Sequence, residues 1–235
     1  LFLHRRDLTR SDYADSLTTE FFRHIEQNYR VKSERRFRAI CGFSTGGYSA
    51  LSIAFQNSHL FDSVSAHAPM LVSGSPFSPN AGELFVEFDP GKNRFVAQRF
   101  TINLLRRIFA NEETWQANNP IVLAGRRALT RPSVYVDVAE MDRRKYDSGA
   151  RELVARLRDH GTPVQFVLVE GLPAISNHTY PGFVNGKLIA EHAQGMSETE
   201  LRRQYGWKNL RTLINPDVQR IEHSLRFHSR EFSKQ

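Results

Sequence analysis

The sequence predicts an α/β fold built on a mostly parallel sheet, and three patterns carry that expectation. A short apolar run at Phe37–Cys41 is followed by a helical pattern from Tyr48 to about Gln56 and by a second strand-like run at Phe61–Ala68. Further along, Ser133–Val138 and Val164–Val169 are rich in β-branched residues, and an amphipathic stretch, Tyr146–His160, separates them. Alternating strands and helices of this length call for right-handed crossovers and a parallel sheet. The chain has 235 residues and a mass of 27.0 kDa, enough for a single domain, 1–235, with a real core.

The remaining elements follow in order. Ser11–Tyr29 reads as a helix: Ser11 can cap it, Asp12 and Asp15 suit its positive first turn, and Tyr13, Leu17, Phe21, Ile25 and Tyr29 recur every fourth residue. Val31–Arg36 is a polar connection. Residues 71–92 are rich in Ser, Gly, Pro and Asn and have no clear period. They are expected to be a loop or lid, the start of a lid-like segment over 71–130. Within that segment, Arg94–Phe109 is helical by pattern, and Pro120–Arg127 is a shorter helix. In Tyr146–His160 the inward residues are expected to be Leu153, Ala155 and Leu157, with Gly161 ending the helix. Val164–Val169 reads as a fully buried strand. Pro216–Phe232 reads as a closing helix with Val218, Ile221, Leu225 and Phe232 inside, after an insert at 181–215.

Composition narrows the class further. Apolar residues at 40% and charged residues at 24% are ordinary for a globular chain, so a disordered or fibrous protein is excluded. One cysteine permits no internal disulfide, and Cys41, expected in a buried strand, should be inert. No run approaches the roughly 18 apolar residues that a spanning helix needs. The net charge of +7 comes from scattered residues dominated by Arg, with no basic block and no nucleic-acid motif, so no nucleic-acid partner is expected. The chain opens Leu1-Phe2-Leu3-His4 with no signal-like segment and no Met. The compartment is therefore unread, with a cytoplasmic setting the default expectation.

The sharpest chemical signal is Gly42-Phe43-Ser44-Thr45-Gly46-Gly47, which has G-x-S-x-G spacing between a strand and a helix. That arrangement suits a nucleophile elbow. Small residues at Gly42, Gly46 and Gly47 let the chain turn tightly, Ser44 projects above the sheet, and the Thr45 N–H is placed to bind an oxyanion. The alternative is a Gly-rich turn with an ordinary surface serine. A serine nucleophile needs a base and an acid to orient it. Asp142, just past the Ser133–Val138 strand, is the favoured acid. Asp137, Glu140 and Asp147 are its rivals, and capping the next helix is its structural alternative. His178, on an unpatterned stretch after Val169, is the favoured base. His160, His192, His223 and His228 have surface explanations, and His67 could line the cleft.

These residues give the chain a resemblance to the putative esterase family of α/β-hydrolases, which includes S-formylglutathione hydrolase, feruloyl and acetyl-xylan esterases, enterochelin esterase and the mycolyltransferases. Tyr29-Arg30, Ser44 through Leu51, the W-x-x-N-x-P segment Trp115–Pro120, His178-Thr179-Tyr180 and Leu225–His228 carry the likeness. Two features depart from the family pattern: Gly171 lies seven residues before His178, and 181–215 looks inserted.

The resemblance implies a three-layer α/β-hydrolase fold and cleavage of carboxylic esters, in small molecules or polysaccharides, through an acyl-enzyme. Acyl transfer of the mycolyltransferase kind and a non-catalytic binding scaffold are the alternatives. Only about four strands are legible, with Leu1–Leu3 as the tail of another. The chain is therefore expected to lack the N-terminal strands of that fold and the second oxyanion donor. No metal or organic cofactor is expected, because there is no H-E-x-x-H, no zinc-spaced Cys/His cluster, no G-x-G-x-x-G and no P-loop. Oligomeric state is not legible.

Overall fold

The computed structural model describes residues 12–82, 86–89, 94–97, 99–126, 131–139, 142, 144–169 and 216–234. The expected features at Leu1–Leu3, Ser11, Glu140, His178, His192 and 181–215 lie outside the described residues.

Four strands form the expected parallel sheet, in the order β1 (Ala39–Phe43), β2 (Ser63–His67), β5 (Ser133–Ala139), β6 (Val164–Val169). Helix α3 (Thr45–Gln56) crosses from β1 to β2, and α7 (Tyr146–Asp159) crosses from β5 to β6. Side chains alternate along each strand. Val64, Ala66, Val134 and Val136 face α3 and α7, where Leu51, Leu153 and Leu157 are fully buried. Each such leucine stabilises the fold by about 1.5–3 kcal/mol. Helix α7 approaches closely enough that a Cβ on Gly149 would lie 2.5 Å from the Leu71 carbonyl oxygen. Gly161, at φ +69°, ends that helix as expected.

The opposite face of the sheet is polar. Ser63, Ser65 and His67 of β2 and Ser133, Tyr135 and Asp137 of β5 point there, towards the last helix, α8 (Pro216–Phe232). The polarity overturns two residues of the expected inner stripe of α8, while Phe232 packs against the Phe37 ring. Ile221 and Leu225 are exposed, while Ser224, Phe227, His228 and Glu231 are buried, because polar partners on the sheet choose polar partners on the helix. His228 is therefore not a surface histidine. Its Nδ1 lies 2.7 Å from Ser63 Oγ and its Nε2 lies 2.9 Å from Ser65 Oγ.

Other expectations are corrected as well. Cys41 is exposed, because β1 is an edge strand among the described residues. The strand β6 is half-buried, not fully buried, for the same reason. In α7, Val154 is buried and Ala155 exposed. The 71–92 loop and the start of the 94–109 helix hold an antiparallel hairpin, β3 (Val86–Asp89) with β4 (Arg94–Ala97), and α4 covers only Arg99–Ile108.

The first helix is a continuous run of α1 (Asp12–Asp15), a π-helical turn (Ser16–Phe21) and α2 (Phe22–Asn28). Its wide turn shifts the inward face by one residue. Phe22, not Phe21, packs edge-on against Phe61, with ring centroids 5.8 Å apart.

The segment Trp115–Pro120 has a structural explanation. Helix α5 (Glu112–Asn118) is capped by Asn111, and α6 (Pro120–Ala124) is capped by Asn119, whose Oδ1 accepts the Ile121 N–H at 3.0 Å. Pro120 occupies the first turn of α6, where its missing N–H costs nothing. Trp115 is buried, and Asn118 Oδ1 accepts from Gln56 Nε2 of α3 at 3.1 Å.

Candidate active site

Ser44 is the single residue between β1 and α3. The strand runs on to Phe43 and the helix begins at Thr45, so the turn is tighter than the sequence pattern alone suggests. Ser44 sits at φ 54°, ψ −114°, a conformation that costs of order 1–3 kcal/mol for a residue with a side chain. Its backbone is held on both sides. The Ser44 N–H donates to the His67 carbonyl at 2.8 Å, and the Ser44 carbonyl accepts from Tyr48 at 3.1 Å and Met70 at 3.0 Å.

Of the three flanking glycines, Gly42 is sterically required and Gly47 is tightly packed. A Cβ on Gly42 would lie 2.1 Å from the Gly46 carbonyl oxygen, and one on Gly47 would lie 3.1 Å from the Gly42 carbonyl oxygen. A Cβ on Gly46 would meet nothing within 4 Å. Tyr48, one turn into α3, is buried against Phe109, and burial pushes its phenol pKa upward.

Asp142 follows β5, and its side chain is 2% exposed. Its Oδ1 accepts the Arg144 N–H at 2.7 Å, closing an Asx turn. The cap position of α7 is Lys145, in the left-handed region at φ 54°, with no side-chain capping bond. Asp142 is therefore not the N-cap residue of α7. Ser44 and Asp142 both lie beyond the carboxyl ends of their strands, the edge of an open α/β sheet where ligands bind.

The rival acids and bases have other surroundings. Asp137 Oδ2 lies 2.6 Å from His67 Nδ1, and both side chains are buried on the polar face of the sheet. His67 Nε2 has no hydrogen-bond partner among the described residues. Asp147 is buried in the first turn of α7, and His223 is exposed on α8. His160 is exposed, with Nε2 3.2 Å from the Gly125 carbonyl. Burial, reinforced by nearby His67, holds the His228 pKa down to about 4, so that ring is neutral at pH 7. The favoured base, His178, and the rivals Glu140 and His192 lie outside the described residues. Among the described residues no group of three or more His, Cys, Asp or Glu side chains is placed to hold a metal.

Nothing in motif spacing links His67 with Asp137; only the strand register, with His67 opposite Asp137, joins them.

A parallel sheet with helices on both faces, and a serine forced into a left-handed turn between strand and helix, define an α/β-hydrolase. The chain belongs to the putative esterase family: the sequence model described as "Putative esterase" matches residues 4–209. No curated protein sequence matches the chain.

Among solved structures, a ferulic acid esterase is 23% identical over 72% of this chain and 56% of its own, with a TM-score of 0.48. An S-formylglutathione hydrolase from Agrobacterium tumefaciens is 20% identical over 83% of this chain and 60% of its own, with a TM-score of 0.49. The acylaminoacyl peptidase of Pyrococcus horikoshii shares the fold at a TM-score of 0.51, with 13% identity over 75% of this chain and 25% of its own. The chain thus spans little more than half the length of the esterases it resembles.

Proposed function

We propose that the protein is a serine hydrolase that cleaves carboxylic esters. Ser44 Oγ attacks the ester carbonyl, His178 takes its proton and later returns it to the leaving alcohol, and Asp142 orients the imidazole. The Thr45 N–H, at the positive end of α3, faces the developing oxyanion, and water then releases the acid. The observation that carries this reading is the conformation of Ser44, the one residue between strand and helix, held at φ 54°. Membership of the esterase family supports the reaction class.

The spacing of the acid supports it too. Strand β2 lies between β1 and β5, so the strands bearing Ser44 and Asp142 are about 10 Å apart, a gap that one imidazole can bridge. His178 arrives on the segment after β6, which suits the Ser, Asp, His chain order of the fold.

The substrate class is an ester of a small molecule or of a polysaccharide, and the lid-like segment 71–130 and the insert 181–215 shape the acyl and alcohol sites. No metal or organic cofactor enters the mechanism. Hydrolysis of short-chain aryl esters by the intact protein, and its loss in Ser44→Ala with the fold retained, tests the proposal. Equal turnover by wild type and Ser44→Ala rejects it.

A further inference from the structure

The strained turn at Ser44 rests on the next strand, and the end of that strand is anchored by a buried side-chain pair. His67 and Met70 hold the Ser44 peptide from either side, through the His67 carbonyl and the Met70 N–H. Between them, Ala68 is itself at φ 41°, an unusual conformation for a residue with a side chain. Asp137 fixes this segment twice. Its carbonyl accepts the Ala68 N–H at 2.7 Å, and its carboxylate accepts from His67 Nδ1 at 2.6 Å.

Taking the reading of Ser44 as nucleophile, we infer that His67 and Asp137 form a positioning pair that sets the location of the nucleophile's turn. The His67 ring does not act on the substrate. It grips Asp137, and its own carbonyl grips Ser44. Two strained residues in neighbouring turns, Ser44 after β1 and Ala68 after β2, persist only where their surroundings over-determine them, and this pair supplies that constraint. Stability alone is a poor reason for it. Taking His67 and Asp137, 4% and 1% exposed, out of water is costly, and well-packed apolar residues often replace such a pair without loss of stability. The adjoining Tyr135 ring, 5.9 Å from His67, and Phe227 beyond it show that this face accepts apolar packing.

The test separates position from stability. His67→Leu/Asp137→Leu removes both polar groups, while His67→Asn keeps a donor at the place of Nδ1. Each is compared with wild type for thermal midpoint, for the rate of covalent labelling by a fluorophosphonate, and for kcat and KM on an aryl ester. The double variant is expected to fold and to lose about 10- to 100-fold in labelling rate and kcat, with KM little changed. His67→Asn is expected to restore most of the rate.

A double variant as stable as wild type that labels at the wild-type rate overturns the inference and leaves the proposed function standing. If the double variant does not fold, His67→Asn decides: a folded His67→Asn that labels more than about 10-fold more slowly than wild type overturns the inference. A wild type that takes no label overturns both.

Discussion

Gly42 lies so close to Gly46 that a Cβ on the first would sit 2.1 Å from the carbonyl oxygen of the second. The contact is backbone against backbone, so no side chain can swing away to relieve it. Gly42→Ala should therefore lower stability by about 1–3 kcal/mol and remove activity by opening the turn. Gly46→Ala, with open space around its new methyl at the start of a helix, should be neutral or stabilising by up to about 1 kcal/mol. Urea unfolding of the two variants side by side checks the contrast, and equal losses would contradict the geometry.

The strain at Ser44 makes a second prediction. Glycine adopts φ 54° without the penalty a side chain incurs, so Ser44→Gly should raise stability by about 1 kcal/mol while abolishing ester hydrolysis. A variant that is both inactive and less stable than wild type would argue that the turn is not strained.

Asp142 allows its structural and chemical roles to be separated. Asparagine keeps the oxygen that accepts the Arg144 N–H, so Asp142→Asn should fold with an almost unchanged thermal midpoint. If the carboxylate orients the base, activity should fall by a factor on the order of 10³–10⁴. Wild-type turnover in a folded Asp142→Asn would remove Asp142 from the triad and direct attention to Glu140.

His228 predicts the pH dependence of stability. Its folded pKa of about 4 lies below the ordinary 6.5, so the unfolded chain binds the proton more readily. The stability contributed by the neutral ring is fully present above pH 6.5 and is lost as pH falls from there towards 4. The loss is on the order of 3 kcal/mol at most. His228→Asn should flatten the fall in urea midpoint over that window relative to wild type. Parallel slopes for the two proteins would show that His228 is not held neutral.

Much of this molecule was legible in its sequence. The parallel sheet was visible in Ser133–Val138, and the turn at Ser44 in two glycines spaced around a serine between a strand and a helix. Other features were hidden for identifiable reasons. The face of α8 is hidden because apolar periodicity points Ile221 and Leu225 inward, whereas Ser63 and Ser65 make the sheet polar where His228 meets it. The hairpin is hidden because Arg94–Ala97 is only four residues long and lies just before a true helix, Arg99–Ile108, so one periodic pattern covers both. The shift from Phe21 to Phe22 follows from a π-helical turn, which simple four-residue periodicity does not anticipate. The pairing of His67 with Asp137 joins residues 70 apart in the chain, and only the strand register reveals it.

The central claim is that Ser44 is the nucleophile, and covalent capture tests it most directly. The intact protein, treated with a fluorophosphonate and digested with trypsin, should carry one label, at Ser44 on the peptide Ala39–Lys92, and Ser44→Ala should carry none. An active protein labelled elsewhere, or one that hydrolyses esters while Ser44 stays unmodified, would contradict the account.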